Sequence, residues 1–271
     1  MGFIERLQQA WAEHDSLLSV GLDPEPARFP SRLQDDPDGI FMFCREIVDA
    51  TADLVCCFKP QIAHFAARSA EDALRRVIKH IHERHPDVPV ILDAKRGDIG
   101  STAKHYASEA FTRYEADAVT LNPYLGGDAL QPFLDHADRG CVILCHTSNP
   151  GAAKLQELEV DGRPFYQHVA ATAAQEWNGN GNCALVVGAT YPEQLAQVRA
   201  IVGDSMPLLV PGIGAQGGDV HAVVSHGKNS VGSGLMISAS RAVLYASSAP
   251  DFADAARSEA SRLREEINRY R

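Results

Sequence analysis

Four ionisable residues, Lys59, Asp93, Lys95 and Asp98, have the types and spacing most able to do chemistry in this chain. Three of them fall in residues 88–102, Val-Pro-Val-Ile-Leu-Asp-Ala-Lys-Arg-Gly-Asp-Ile-Gly-Ser-Thr. An apolar run there ends in Asp93, Lys95 and Asp98, and Gly97 and Gly100 loosen the backbone. Side chains two apart on a strand share a face. Asp93 and Lys95 are therefore expected to leave one strand end together, with Asp98 on the turn beyond. A lysine held between two carboxylates stays protonated, and a buried cluster of this kind is costly to assemble. The cost is easiest to understand if the charges react; the plainer alternative is a surface turn with three solvated charges.

The residues before the cluster favour chemistry. Val90, Ile91 and Leu92 form a continuous apolar run, as in strands buried on both faces. Similar runs are expected as strands at 17–22, 54–58, 88–94, 118–121, 141–145, 184–187, 208–210 and 231–237, with helical stretches between them. Eight strands alternating with helices predict a parallel α/β fold, a closed (β/α)8 barrel, with a doubly wound open sheet as the alternative. A barrel takes about 250 residues, so the 271 residues are read as one domain, 1–271. The last helix places Phe252, Ala256, Ala260, Leu263 and Ile267 on one stripe that can cover the barrel. Two connections are long, 24–38 and 146–163, and the second is a candidate lid.

In such a barrel the strand C-termini face the active site. The polar residues there fall in phase: Asp23 after the first strand, Lys59 after the second, Asn122 after the fourth and Ser148 after the fifth. The seventh strand runs into Pro211-Gly-Ile-Gly-Ala-Gln216-Gly-Gly-Asp219, and the eighth ends at Ser240-Arg241. Glycine-rich turns after strands seven and eight can wrap a phosphate with backbone N–H groups and a helix N-terminus. An arginine beside them supplies bidentate charge. Two unrelated tight turns are the plainer alternative.

His80, His82 and His85 sit on a predicted helix without the i,i+4 spacing of a metal pair, and read as surface histidines. His105 and His146 lie nearer the strand ends, with no partner evident in the sequence. There is no CxxC pair, zinc spacing, Walker loop, dinucleotide fingerprint or Gly-x-Ser-x-Gly elbow in a suitable context, so no metal and no organic cofactor are expected. The formal net charge of −10 argues against nucleic acid and anionic membranes as partners. No run reaches the ~20 apolar residues of a membrane span, and the first fifteen residues carry no signal-peptide core. The six cysteines read as buried free thiols, which places the protein in the cytoplasm.

Asp-Ala-Lys-Arg-Gly-Asp-Ile-Gly-Ser-Thr at 93–102, with Pro-Gly-Ile-Gly-Ala-Gln-Gly-Gly at 211–218, resembles orotidine 5′-phosphate decarboxylase, in the longer of its bacterial forms. The resemblance runs in order from Val20 to Arg241. It implies decarboxylation of orotidine monophosphate to UMP in pyrimidine biosynthesis, by a homodimer with shared active sites. Lys95 would be the acid that protonates C6, with Lys59, Asp93 and Asp98 completing a charge network. Asp23 would contact the ribose, Ser148 the pyrimidine, and Gln216 with Arg241 the phosphate, with Pro211 also among the substrate-binding residues. Asp98, Ile99 and Thr102 would enter the neighbouring subunit's site. Ser240 stands where the family pattern leads one to expect glycine. The alternatives are a Mg2+-dependent sugar-phosphate decarboxylase or aldolase of the same superfamily, and a non-catalytic barrel that binds a phosphorylated ligand.

Overall fold

The computed structural model describes residues 1–213 and 219–271. Eight parallel strands form one sheet: β1 (Leu18–Leu22), β2 (Cys57–Pro60), β3 (Ile91–Arg96), β4 (Ala118–Leu121), β5 (Gly140–His146), β6 (Cys183–Val187), β7 (Leu208–Pro211) and β8 (Leu235–Ala239). Their spatial order is β2-β1-β8-β7-β6-β5-β4-β3. The Phe58–Val90 and Gln61–Asp93 bridges join β2 to β3, so the sheet closes into a (β/α)8 barrel. Every residue of β1, β4, β6 and β8 is buried, as a barrel wall packed on both faces requires.

Among the described residues nine longer helices can be followed: α1 (Phe3–Glu13), α2 (Gly39–Thr51), α3 (Glu71–Arg84), α4 (Gly100–Ser108), α5 (Gly127–Leu134), α6 (Phe165–Thr172), α7 (Pro192–Val202), α8 (Val220–Gly227) and α9 (Phe252–Asn268). The apolar stripe of α9, Phe252, Ala256, Ala260, Leu263 and Ile267, is buried against the barrel. The 24–38 excursion is pinned by Phe29, which stacks on Phe43 of α2 at 4.0 Å between ring centroids. All six cysteines are buried and unpaired. Among the described residues no helix is long and apolar enough to cross a membrane.

Three strands start three or more residues later than the apolar pattern suggests. β2 begins at Cys57 because residues 52–54 form a 3-10 turn. β3 begins at Ile91; Val90, just before it, bridges Phe58 and accepts from the Ala118 amide through its carbonyl. β8 begins at Leu235 because Asn229 accepts hydrogen bonds from the amides of Val231 and Ser233, closing a turn through the stretch expected as its first half. The three histidines expected on one helix have carboxylate partners: His80 and His85, the latter just past the end of α3, both pair with Asp49, and His82 pairs with Asp117.

Candidate active site

At the mouth of β2 and β3 one carboxylate lies between two ammonium groups. Asp93 Oδ2 accepts from Lys59 Nζ at 2.9 Å, and Asp93 Oδ1 accepts from Lys95 Nζ at 2.6 Å. Lys59 and Asp93 are buried, whereas the Lys95 side chain is half-exposed and faces the cavity. Burial pushes the Asp93 carboxyl up, but the two ammonium groups outweigh it and hold it well below the ordinary carboxylate range. Burial likewise pulls Lys59 down, and the carboxylates of Asp93 and Asp23 overcome that pull and raise it. The Asp93 carboxylate is thus held ionised with a lysine on each side.

The sequence order places a lysine between two carboxylates; the structure places a carboxylate between two lysines. The reason is local. The β3–β4 register shifts between Leu92 and Arg96, so residues 93–95 bulge, and Lys95 adopts a left-handed φ of 47°. A left-handed backbone at a non-glycine residue is strained, and surrounding contacts must hold it. Thr120 of β4 does so: its Oγ1 accepts from the amides of Ala94 and Lys95 and donates to Asp93 Oδ1, each at 2.9 Å. Nothing in the sequence pattern singled out Thr120.

The row borders two cavities that share Pro211. The polar one, of about 150 Å3, brings Lys59 together with Asp23, Ser240 and Arg241. Asp23 Oδ1 is buried without a hydrogen-bond partner among the described residues, a position suited to a ligand hydroxyl. Tyr245, absent from the sequence reading, holds the loop that carries Asp23: its hydroxyl donates to the Asp23 carbonyl and accepts from the Glu25 amide. Arg241 is exposed and makes no ion pair among the described residues.

Ser240 does not need to be glycine. Its φ is −116°, and its hydroxyl takes the space above Gly21, where a Cβ would come within 1.9 Å of Oγ. The expected helix N-terminus after β7 is already occupied: Asp219 Oδ1 accepts from the amides of His221 and Ala222 at the start of α8. Gln216 lies outside the described residues.

The second cavity, about 630 Å3, is more apolar and joins Lys95 to Asn122, Ser148, Leu155 and Phe165. Ser148 sits on the connection after β5, its backbone against Gly188, where a Cβ would meet it at 2.9 Å. That connection is tied down by the pair His146 Nε2–Glu157 Oε1 at 3.0 Å and by Gln156, which bonds Thr147. His146 thus has a partner that sequence spacing did not reveal.

Asp98, Ile99 and Thr102 lie apart from the charged row. Asp98 makes no ion pair with Lys59 or Lys95; its Oδ1 accepts from the Ile99 amide. Ile99 is 60% exposed and Thr102 is exposed at the start of α4. Gly100 adopts φ +55° at the start of α4, a left-handed backbone that glycine takes without strain.

The family model for orotidine 5′-phosphate decarboxylase / HUMPS matches residues 16–256. A protein of Azoarcus sp. named orotidine 5′-phosphate decarboxylase is 61% identical over 271 residues, covering all of both chains. One of the same name from Ralstonia pickettii is also 61% identical, again over the whole of both. The solved structure of Leishmania donovani OMP decarboxylase superposes with a TM-score of 0.86 at 38% identity, over 100% of this chain and 98% of its own. Both the barrel and the sequence assign it: the chain belongs to the orotidine 5′-phosphate decarboxylase family.

Proposed function

We propose that the Lys59–Asp93–Lys95 row decarboxylates orotidine 5′-monophosphate to UMP and CO2, with Lys95 as the acid. The observation that carries this reading is the buried Asp93 carboxylate held between two ammonium groups at a strand mouth. Breaking the C6–carboxylate bond releases CO2 and leaves an electron pair on C6 that the ring carbonyls delocalise poorly. The Lys95 ammonium offsets that charge as it develops, then transfers a proton to C6 and regains one from solvent. Asp93 stays ionised and faces the leaving carboxylate, so substrate binding brings like charges together ahead of bond cleavage.

The two cavities suit the two halves of a nucleotide. Asp23 and Lys59 offer partners to ribose hydroxyls, and Arg241, with Pro211 and Gln216, takes the phosphate; Ser148 in the apolar cavity contacts the base. Binding energy from the remote phosphate then closes the 146–163 connection over the base and excludes water.

Asp98, Ile99 and Thr102 serve the site of a second copy. Asp98 does not reach its own chain's lysines, and exposed Ile99, Tyr124 and Leu125 flank the mouth as an apolar surface for a C2 partner. Residues 1–271 act as one barrel unit in a cytoplasmic homodimer. The test is purified protein with orotidine monophosphate, following loss of pyrimidine absorbance and release of CO2, repeated after exhaustive chelation. Turnover that survives chelation is expected. Activity that vanishes with EDTA and returns with Mg2+ moves the assignment to the sugar-phosphate branch of the superfamily.

A further inference from the structure

The geometry points to a divalent transition-metal site at the barrel face opposite the active site, formed by Asp49, His80 and His85. Asp49 lies near the C-terminal end of α2, and His80 lies in the last two turns of α3. Helix C-termini in a βα unit meet the next strand's N-terminal end, so the trio sits far from the charged row. His80 and His85 are five apart and would face different sides of a continuous helix. His85 instead leaves the helix, with φ −136° and ψ 60°, and its ring comes within 6.1 Å of the His80 ring, centroid to centroid. Both Nε2 atoms then point at one oxygen, Asp49 Oδ1, at 2.6 Å from His80 and 3.0 Å from His85.

Two imidazole nitrogens and a carboxylate oxygen are the donor set of a borderline metal such as Zn2+, Co2+ or Ni2+. In a tetrahedral zinc shell with bonds of about 2.0–2.1 Å, ligand atoms stand about 3.3 Å apart. The three donor atoms lie within 4.8 Å of one another, so small side-chain rotations open the cluster to that shell. The metal takes the Nε2 atoms that now contact Asp49: a neutral ring keeps its hydrogen on Nδ1, and a protonated ring gives one up on binding. Asp49 and His80 border a surface groove, which gives solvent access and room for a water ligand. The same groove carries Arg45 and Arg84, and its other acid, Glu46, is paired with Arg32. With one free carboxylate and two arginines nearby, hard cations that depend on oxygen charge are disfavoured. A bound metal would staple α2 to α3.

The test uses the whole protein, stripped with EDTA and then titrated with Zn2+ alone by calorimetry and with Co2+ by visible absorption. The expected result is one equivalent bound, Co2+ ligand-field bands of a nitrogen/oxygen site, a higher thermal midpoint with Zn2+, and no such response to Mg2+. His85→Asn and Asp49→Asn should each weaken Zn2+ at least about tenfold, since even outer-sphere changes cost that much. His82→Gln, outside the trio, should leave the affinity unchanged. Failure of the wild-type protein to bind Zn2+ or Co2+ overturns the proposal, as does affinity that persists in both ligand variants. The cobalt bands of the wild-type protein test it even if a variant does not fold.

Discussion

Replacing Asp93 by asparagine removes the one negative charge between two ammonium groups. Lys95 is half-exposed and can turn its head to water, but Lys59 is only 5% exposed and its hydrogen bond runs to Asp93. Breaking a buried pair from one side costs about 3–5 kcal/mol. The amide of Asp93→Asn keeps an acceptor oxygen, so the low end, about 3 kcal/mol at pH 7, is expected. The pH dependence gives a second, signed readout. In the wild-type protein the Lys59 pKa is raised above its ordinary 10.5, so its stabilisation is complete below that value and is lost only as pH rises through the folded value. In Asp93→Asn, burial is the largest influence left, and the folded pKa falls below 10.5. The unfolded state then binds more protons in the window just below 10.5, and stability rises with pH there. The gap between the two proteins should therefore narrow from pH 7 to pH 10. Urea unfolding followed by fluorescence of Trp11, buried with its indole N–H on the Leu235 carbonyl, measures it. A gap below about 1 kcal/mol, the scale of a surface pair, or one that stays constant with pH, refutes the reasoning.

Other perturbations separate the roles around the row. Thr120→Val strips the acceptor from two bulge amides and should cost about 1–3 kcal/mol together with a fall in kcat that exceeds any change in substrate affinity; unchanged kcat would remove Thr120 as the residue that positions Lys95. Arg241→Ala should weaken the nucleotide far more than the corresponding nucleoside, because a charge-assisted bidentate contact to phosphate is lost; equal losses for both ligands would place Arg241 away from the phosphate. Lys95→Ala and Asp98→Ala homodimers should each be nearly inactive, and after subunit exchange, confirmed with differently tagged chains, roughly a quarter of wild-type activity should return, because half of randomly paired dimers are hybrids with one intact site. No recovery after confirmed exchange would mean that Asp98 serves its own chain.

The barrel was legible because continuous runs such as Val90–Leu92 and Ala118–Leu121 mark strands buried on both faces, and polar residues recur where those runs stop. That logic located Asp23, Lys59, Asp93, Lys95, Ser148 and Arg241 at one end of the barrel, where the structure has them. It could not see the bulge at residues 93–95, since strand alternation assumes regular pleating, and so it did not foresee that within one chain Asp93 stands between Lys59 and Lys95. Thr120 and Tyr245 escaped for a different reason. Each acts on a segment distant in sequence, and an isolated threonine in a strand or a tyrosine after one carries no pattern. The contact of His85 with Asp49 escaped because helical spacing stops applying where the helix ends.

The most direct test of the central claim is Lys95→Ala assayed separately for binding and for turnover of orotidine monophosphate. Lys95 supplies both the counter-charge for the C6 carbanion and its proton, and these interactions are realised in the transition state rather than on binding. The account predicts that kcat falls by several orders of magnitude while the dissociation constant for substrate changes by about tenfold or less. A variant that keeps more than about a tenth of wild-type kcat would contradict it, and the acid would have to be sought elsewhere in the site.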